Sequence, residues 1–275
     1  MRKLLSENQV ADYQRDGFLF PIPVLCQDEA MAYRAEIESL EKTYQEHALG
    51  QPLNQFFRTH GHVVIPFMAR IAQTNTILDS VQSILGPDLL VWSCELFIKE
   101  PNTQKVVSWH QDLTYWGLGE TDDLVTAWIA LSPATLQSGC MKFVAGSHQQ
   151  RLVAHRDTFH KDNLLSRGQE IAVDVDESES TAVVLKPGEM SLHHGRMFHA
   201  SGPNVSNDRR IGVAIRYVTP GVRQIVAQRD YAMLVRGCDQ HRNWINFAAP
   251  DEAFTDDGLA LRSRITTDQA ALNAQ

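Results

Sequence analysis

The side chains best placed to do chemistry in this sequence are those of His110-Gln111-Asp112 and, far downstream, His199. Residues two apart on an extended strand share a face, so His110 and Asp112 would point the same way. A second imidazole supplied from elsewhere in the fold would complete a set of two histidines and one carboxylate. Such a set binds one face of an octahedral ferrous ion and leaves the opposite positions open for a co-substrate and O2. The tripeptide alone is weak evidence. Here it follows a β-rich segment, and the turn and strand Lys186-Pro187-Gly188-Glu189-Met190-Ser191-Leu192 lead into a histidine-rich stretch that ends in His199. His193 and His194 rival His199 for the metal, although neither is followed by a Ser-Gly-Pro-Asn segment.

Short strands must hold these groups. Residues 89–98 form a mostly apolar, β-rich run. Further strand signals follow at 106–109, 124–131, 141–144, 182–185, 190–192 and 211–218, punctuated by Gly and Pro. Many short strands with long connections indicate a mainly β protein with flanking helices, a jelly-roll sandwich or barrel. Upstream, Ser6 fits the cap of a helix over 6–16 that Gly17 stops. Phe18-Leu19-Phe20 reads as a short strand ended by Pro21 and Pro23, and helical spacing marks 28–47 and 67–85. Residues 149–180 are polar and read as a long excursion from the barrel, a candidate lid. The whole, 1–275, reads as one domain. It has a helical N-terminal part (1–88), a barrel core (89–220) with the insertion at 149–180, and a C-terminal extension (221–275). The polar tail from Asp251 is expected to be solvated.

With 275 residues, 43% hydrophobic and 21% charged, the chain has an ordinary globular composition. A net charge of -8 and a pI near 5.7 argue against nonspecific binding to nucleic acid or an anionic membrane. They leave room for a basic pocket that takes a small anion. Cys26, Cys94, Cys140 and Cys238 form no C-x-x-C pair and read as free thiols in a reducing cytoplasm. Glu7, Gln9 and Asp12 follow the basic start at once, so no apolar signal-peptide core is expected, and no run reaches transmembrane length. The expectation is a cytoplasmic monomer or homodimer with a small-molecule substrate.

Several segments together resemble the phytanoyl-CoA dioxygenase family of Fe(II)/2-oxoglutarate oxygenases. They are Ser108-Trp109-His110-Gln111-Asp112, Ser138-Gly139-Cys140-Met141, Gly146-Ser147-His148, Pro187-Gly188-Glu189, and His199-Ala200-Ser201-Gly202-Pro203-Asn204 with Arg210. Tyr13, Asp16-Gly17 and Phe18 look like the family's N-terminal helix and strand. The resemblance implies a double-stranded β-helix with iron held by His110, Asp112 and His199. It implies that Arg210 receives the distal carboxylate of 2-oxoglutarate, a task suited to the guanidinium fork. Arg209 competes with Arg210, because a one-residue offset on a strand reverses the face. Ser201, Gln111 and Trp128 fall at the family's co-substrate positions; Trp128 could equally be core. The implied reaction is hydroxylation of an unactivated C–H bond using Fe(II), 2-oxoglutarate and O2. The related halogenases lack the carboxylate found here as Asp112, so hydroxylation is favoured over chlorination, with desaturation or epoxidation still open.

The family does not determine the substrate. Tyr115 and Trp116 follow the tripeptide and should lie at the pocket mouth, facing a cation, capping an apolar substrate, or simply packing in the core. Asn54, Arg58, His60 and His62 form a polar, partly basic segment. It could wall the pocket, with Arg58, His60 and Lys99 offered to an anion, or be a solvated loop. These clusters suggest a small polar metabolite such as an aminoalkylphosphonate or a betaine-like zwitterion. An acyl thioester or a secondary metabolite is the alternative. From other classes, a cupin-type metal enzyme would need no Arg210, and a non-catalytic binding protein would bind no Fe(II).

Overall fold

Residue alternation along the strands generates two faces, and one of them builds the site. The computed structural model describes residues 5–44, 49–158, 160–165 and 169–272. The order is α1 (Glu7–Asp16), β1 (Phe18–Pro23), α2 (Gln27–Thr43), α3 (Leu53–Arg58), α4 (Pro66–Ala72) and α5 (Asn75–Leu85). Next come β2 (Leu89–Lys99), β3 (Val107–His110), β4 (Leu124–Ala130), β5 (Met141–Val144), β6 (His155–Asp157) and β7 (Gln169–Ile171). The chain continues through β8 (Ser180–Val183), β9 (Glu189–His194), β10 (His199–Ser201), β11 (Arg210–Val218), β12 (Asp230–Arg236), β13 (Trp244–Asn246) and α6 (Asp256–Leu272).

A seven-stranded sheet, β1-β9-β4-β11-β2-β12-β13, packs against a four-stranded sheet, β3-β10-β5-β8, while β6 and β7 pair apart. The two sheets are stacked as a double-stranded β-helix and are not hydrogen-bonded into a closed barrel. On β11, Ile211, Val213, Ile215 and Tyr217 join the large core beneath the helices. Arg210, Ala214 and Arg216, the alternate residues, line a cavity between the sheets.

Several expectations change. β1 runs through Pro21 to Pro23; it is an edge strand with a register shift between Leu19 and Ile22, where missing donors are tolerated. The helix expected over 67–85 is two, α4 and α5, because Thr74 turns extended and starts the second without a Gly or Pro to mark the break. The C-terminal part is not a solvated tail. β12 joins β2, Ile265 is buried, and Arg262 donates to the carbonyls of Thr59 (2.8 Å) and Gln55 (2.7 Å). The α6 pattern is mostly polar, and these polar anchors compensate for its few apolar residues. Among the described residues all four cysteines are free, and no helix is long and apolar enough to cross a membrane.

Candidate metal centre and adjoining cavity

β3 and β10 are neighbours, with His110 directly opposite His199. Their ring centroids are 4.0 Å apart. His110 ends its strand, and Asp112 opens a 3-10 turn rather than continuing it. Gln111 between them is extended, which preserves the alternation. His110 Nε2 therefore lies 3.5 Å, and His199 Nε2 3.8 Å, from Asp112 Oδ1. The candidate donor atoms of the three residues all lie within 4.8 Å of one another.

Each of these imidazoles has Nδ1 against a main-chain carbonyl, of Ser108 (2.8 Å) and of Met197 (2.9 Å). A carbonyl only accepts, so Nδ1 carries the proton and Nε2 turns its lone pair to the shared space. Burial, then His110 and His193 alongside, push His199 well below its usual range. Burial opposes the Asp112 charge, but His199 and the contacts from His110 and His193 outweigh it and hold the carboxyl well below the usual carboxylate range. Two nitrogens and one oxygen on buried, tethered side chains fit a ferrous ion.

A cavity extends from this set between the sheets. Arg210, only 1% exposed, lies at its far end with Nε unpartnered among the described residues. Its guanidinium sits 5.2 Å from the Trp128 ring centroid. Gly212 makes room for that indole, since a Cβ there would come within 1.8 Å of it. Lys99 faces Arg210 across the β2–β11 register and donates to Ser201 Oγ at 2.7 Å. Burial, reinforced by Arg210, pushes Lys99 down to about 6, and burial pushes Arg210 down to about 10. Asp112 is the only carboxylate among the described cavity-lining residues, so no acidic side chain of the cavity wall besides Asp112 is available to the Arg210 guanidinium. Arg209 turns outward onto Glu41 (2.7 Å) and Glu100 (2.8 Å), which leaves Arg210 as the arginine facing the cavity.

Ser201 and Trp128 line the cavity; Gln111 does not. Its amide nitrogen donates to the carbonyl of Arg196 (3.0 Å), and its oxygen accepts from Val153 N (2.9 Å). Gln111 thus ties the tripeptide to the segment after residue 149, from which Leu165 reaches the cavity wall.

The mouth carries a second charged group. Arg216 lines the cavity and pairs with Glu95 at 2.9 Å. Arg58 lies 4.1 Å over the Phe97 ring and donates to the Leu164 carbonyl at 2.8 Å. Trp116 stacks 5.2 Å from the Arg216 guanidinium. The rest of the 54–62 segment is not brought to the cavity. Asn54 is exposed on α3, His62 is fully buried, and His60 is bound at 2.6 Å to Gln269. The Tyr115 side chain lies outside the described residues. Sequence reasoning missed Arg216, Glu95, Thr126 and the position of Lys99 opposite Arg210. Arg216 had a signal: it lies at an even spacing from Arg210 on one strand, hence on the same face.

A family model described as phytanoyl-CoA dioxygenase (PhyH) matches residues 13–212. The chain belongs to this family. Its members are Fe(II)- and 2-oxoglutarate-dependent dioxygenases, and the chain is an enzyme of that class. A probable alpha-ketoglutarate-dependent hypophosphite dioxygenase from Stutzerimonas stutzeri is 28% identical over 66% of this chain, which spans 64% of that relative's length. Ectoine dioxygenase from Bordetella parapertussis is 25% identical over 78% of this chain and 75% of its own. Among solved structures, apo ThoJ, a non-heme monooxygenase, is 35% identical with a TM-score of 0.86, covering 97% of this chain and 98% of its own. The family's N-terminal limit at residue 13 coincides with Tyr13, whose buried ring anchors α1.

Proposed function

We propose that His110, Asp112 and His199 hold Fe(II), and that Arg210, with Lys99 and Ser201 beside it, takes the distal carboxylate of 2-oxoglutarate. The reaction proposed is hydroxylation of a C–H bond in a small polar metabolite that carries an anionic group. The observation that carries this reading is one cavity lined both by the three donor residues and by the buried Arg210 guanidinium, with Lys99 opposite Arg210 on the neighbouring strand. When bound, the iron and the co-substrate together activate O2 and supply the oxidant for C–H cleavage. The chain's own residues do the rest. Arg210 and Lys99 orient the co-substrate, Trp128 gives the guanidinium a flat backing, and Phe97 and Leu165 exclude water. The backbone carbonyls of Ser108 and Met197 keep the protons of His110 and His199 on Nδ1.

The substrate reading rests on charge. Arg58 and Arg216 flank Phe97; Arg216 pairs with Glu95, while Arg58 has no carboxylate within ion-pair distance among the described residues. An arginine without an ion pair suits a phosphonate, a carboxylate or the acidic end of a zwitterion. The relatives' names, hypophosphite and ectoine, are those of small polar compounds. An aminoalkylphosphonate or a betaine-like zwitterion fits this mouth. An acyl thioester is the second reading.

Anaerobic titration with Fe(II) and then 2-oxoglutarate tests the co-substrate assignment. The weak visible charge-transfer band of the chelated pair is expected with the wild type and lost in His110→Ala. Well-folded, metal-loaded protein that gives no band would sink it. Once a panel of phosphonates, betaines, amino acids and acyl-CoAs has been screened by succinate release, Arg58→Ala is expected to raise the KM of the active compound at least about tenfold. That corresponds to about 1.4 kcal/mol or more of lost binding, with the 2-oxoglutarate KM unchanged. An unaltered substrate KM would remove Arg58 from the substrate mouth.

A further inference from the structure

His193 lines the metal cavity, is 2% exposed, and has neither ring nitrogen hydrogen-bonded among the described residues. It differs in this from His110 and His199, each tethered through Nδ1 to the main chain. An imidazole always keeps at least one N–H, and burying that donor unpaired is unfavourable, so the side chain calls for an acceptor in the cavity. The acceptor it faces is Asp112 Oδ2, 3.8 Å from Nε2. Phe143 and His199 close the other sides of the ring, with centroids at 5.0 and 4.9 Å.

The two oxygens of Asp112 therefore face different company. Oδ1 looks toward His110 (3.5 Å) and His199 (3.8 Å). Oδ2 looks toward His193 (3.8 Å) and accepts from the Thr126 hydroxyl at 3.3 Å. Thr126 and His193 are directly opposite each other in the β4–β9 register, so strand pairing alone brings both donors to one oxygen. His194, the next residue, turns away to Asp122 at 3.1 Å.

We propose that His193 is a positioning residue. Its Nε2–H donates to Asp112 Oδ2, with Thr126 as the second donor, so that only Oδ1 is offered to the metal. A carboxylate held by one oxygen takes one coordination position rather than two, which keeps room for the co-substrate and O2. The inference rests on the ferrous-site reading above, and its test separates the two.

The test is anaerobic Co(II) binding to the metal-free full-length chain, followed by the visible d–d spectrum and by calorimetry. Wild type is compared with His193→Phe, His193→Gln, Thr126→Val and His110→Ala. His193→Phe keeps the volume and removes the donor, and is expected to weaken Co(II) binding about 10- to 100-fold, the range for outer-shell partners of metal ligands. His193→Gln restores a donor and is expected to recover most of that loss. Thr126→Val, a smaller change in the core, is expected to lower affinity in the same direction, and it carries the test if the phenylalanine variant does not fold. Wild-type affinity in both His193→Phe and Thr126→Val overturns the proposal. So does a complete loss in His193→Phe that glutamine does not rescue, because His193 would then be a ligand itself. Unchanged binding in His110→Ala overturns the metal assignment, and this inference with it.

Discussion

Arg210→Ala is expected to weaken 2-oxoglutarate binding by about 30- to 4,000-fold while Fe(II) binding stays near the wild-type level. Truncating one partner of a buried, hydrogen-bonded charge pair costs about 2–5 kcal/mol, at about 1.4 kcal/mol per tenfold. Arg210 is suited to the upper part of that range. It is nearly fully buried, and Asp112, at the other end of the cavity, is the only carboxylate among the described lining residues. Lys99 beside it cannot take over fully, because burial and Arg210 push it down to about 6 and its Nζ is already spent on Ser201 and the Gly202 carbonyl. Lysine at 210 is expected to recover part of the affinity. The measurement is 2-oxoglutarate titration of the Fe(II)-loaded, oxygen-free enzyme. Equal affinity in wild type and Arg210→Ala would move the co-substrate elsewhere.

Asp112→Ala is expected to lower Fe(II) affinity by more than about 100-fold, beyond what loss of an outer-shell partner does. The carboxylate is the only anionic group in the set and is held ionised by its surroundings. Its removal leaves only two imidazole nitrogens to hold a dication. Asp112→Asn preserves the shape and the contact from Thr126 but not the charge, so it is expected to fail nearly as badly. Calorimetry with Fe(II) under anaerobic conditions, and succinate release in air, read the two effects. Wild-type Fe(II) affinity in both variants would exclude Asp112 as a ligand.

The chemistry was legible where residue type and strand alternation agreed. His110 and Asp112 share a face through the extended Gln111, and Arg210 was separable from Arg209 in principle by facing alone. The strands at 89–99 and 210–218 were legible as apolar runs, but that same apolarity hid the inner row of β2. Glu95, Phe97 and Lys99 alternate with Cys94, Leu96 and Ile98, and only the pairing with β11 reveals that the charged row meets Arg210 and Arg216. The 54–62 segment misled because its histidines look available in a sequence. His60 and His62 are consumed by packing, and of these only Arg58 packs against a cavity-lining residue, Phe97. Gln111 misled for the opposite reason. It lies between two candidate ligands, yet alternation turns its amide to the other side, where it holds Val153 and Arg196. α6 was hidden because its burial depends on Arg262 and Gln269 reaching distant partners, and no apolar stripe records such contacts.

That last helix has a consequence for how such an enzyme diversifies. Through Arg262 it grips the carbonyls of Gln55 and Thr59, and through Gln269 it holds His60 and Asp230. The strip of chain that presents Arg58 is therefore set by a segment that touches neither iron ligands nor co-substrate cations. If Arg58 meets the substrate as proposed, a change in α6 would alter which molecules are admitted without touching His110, Asp112, His199 or Arg210.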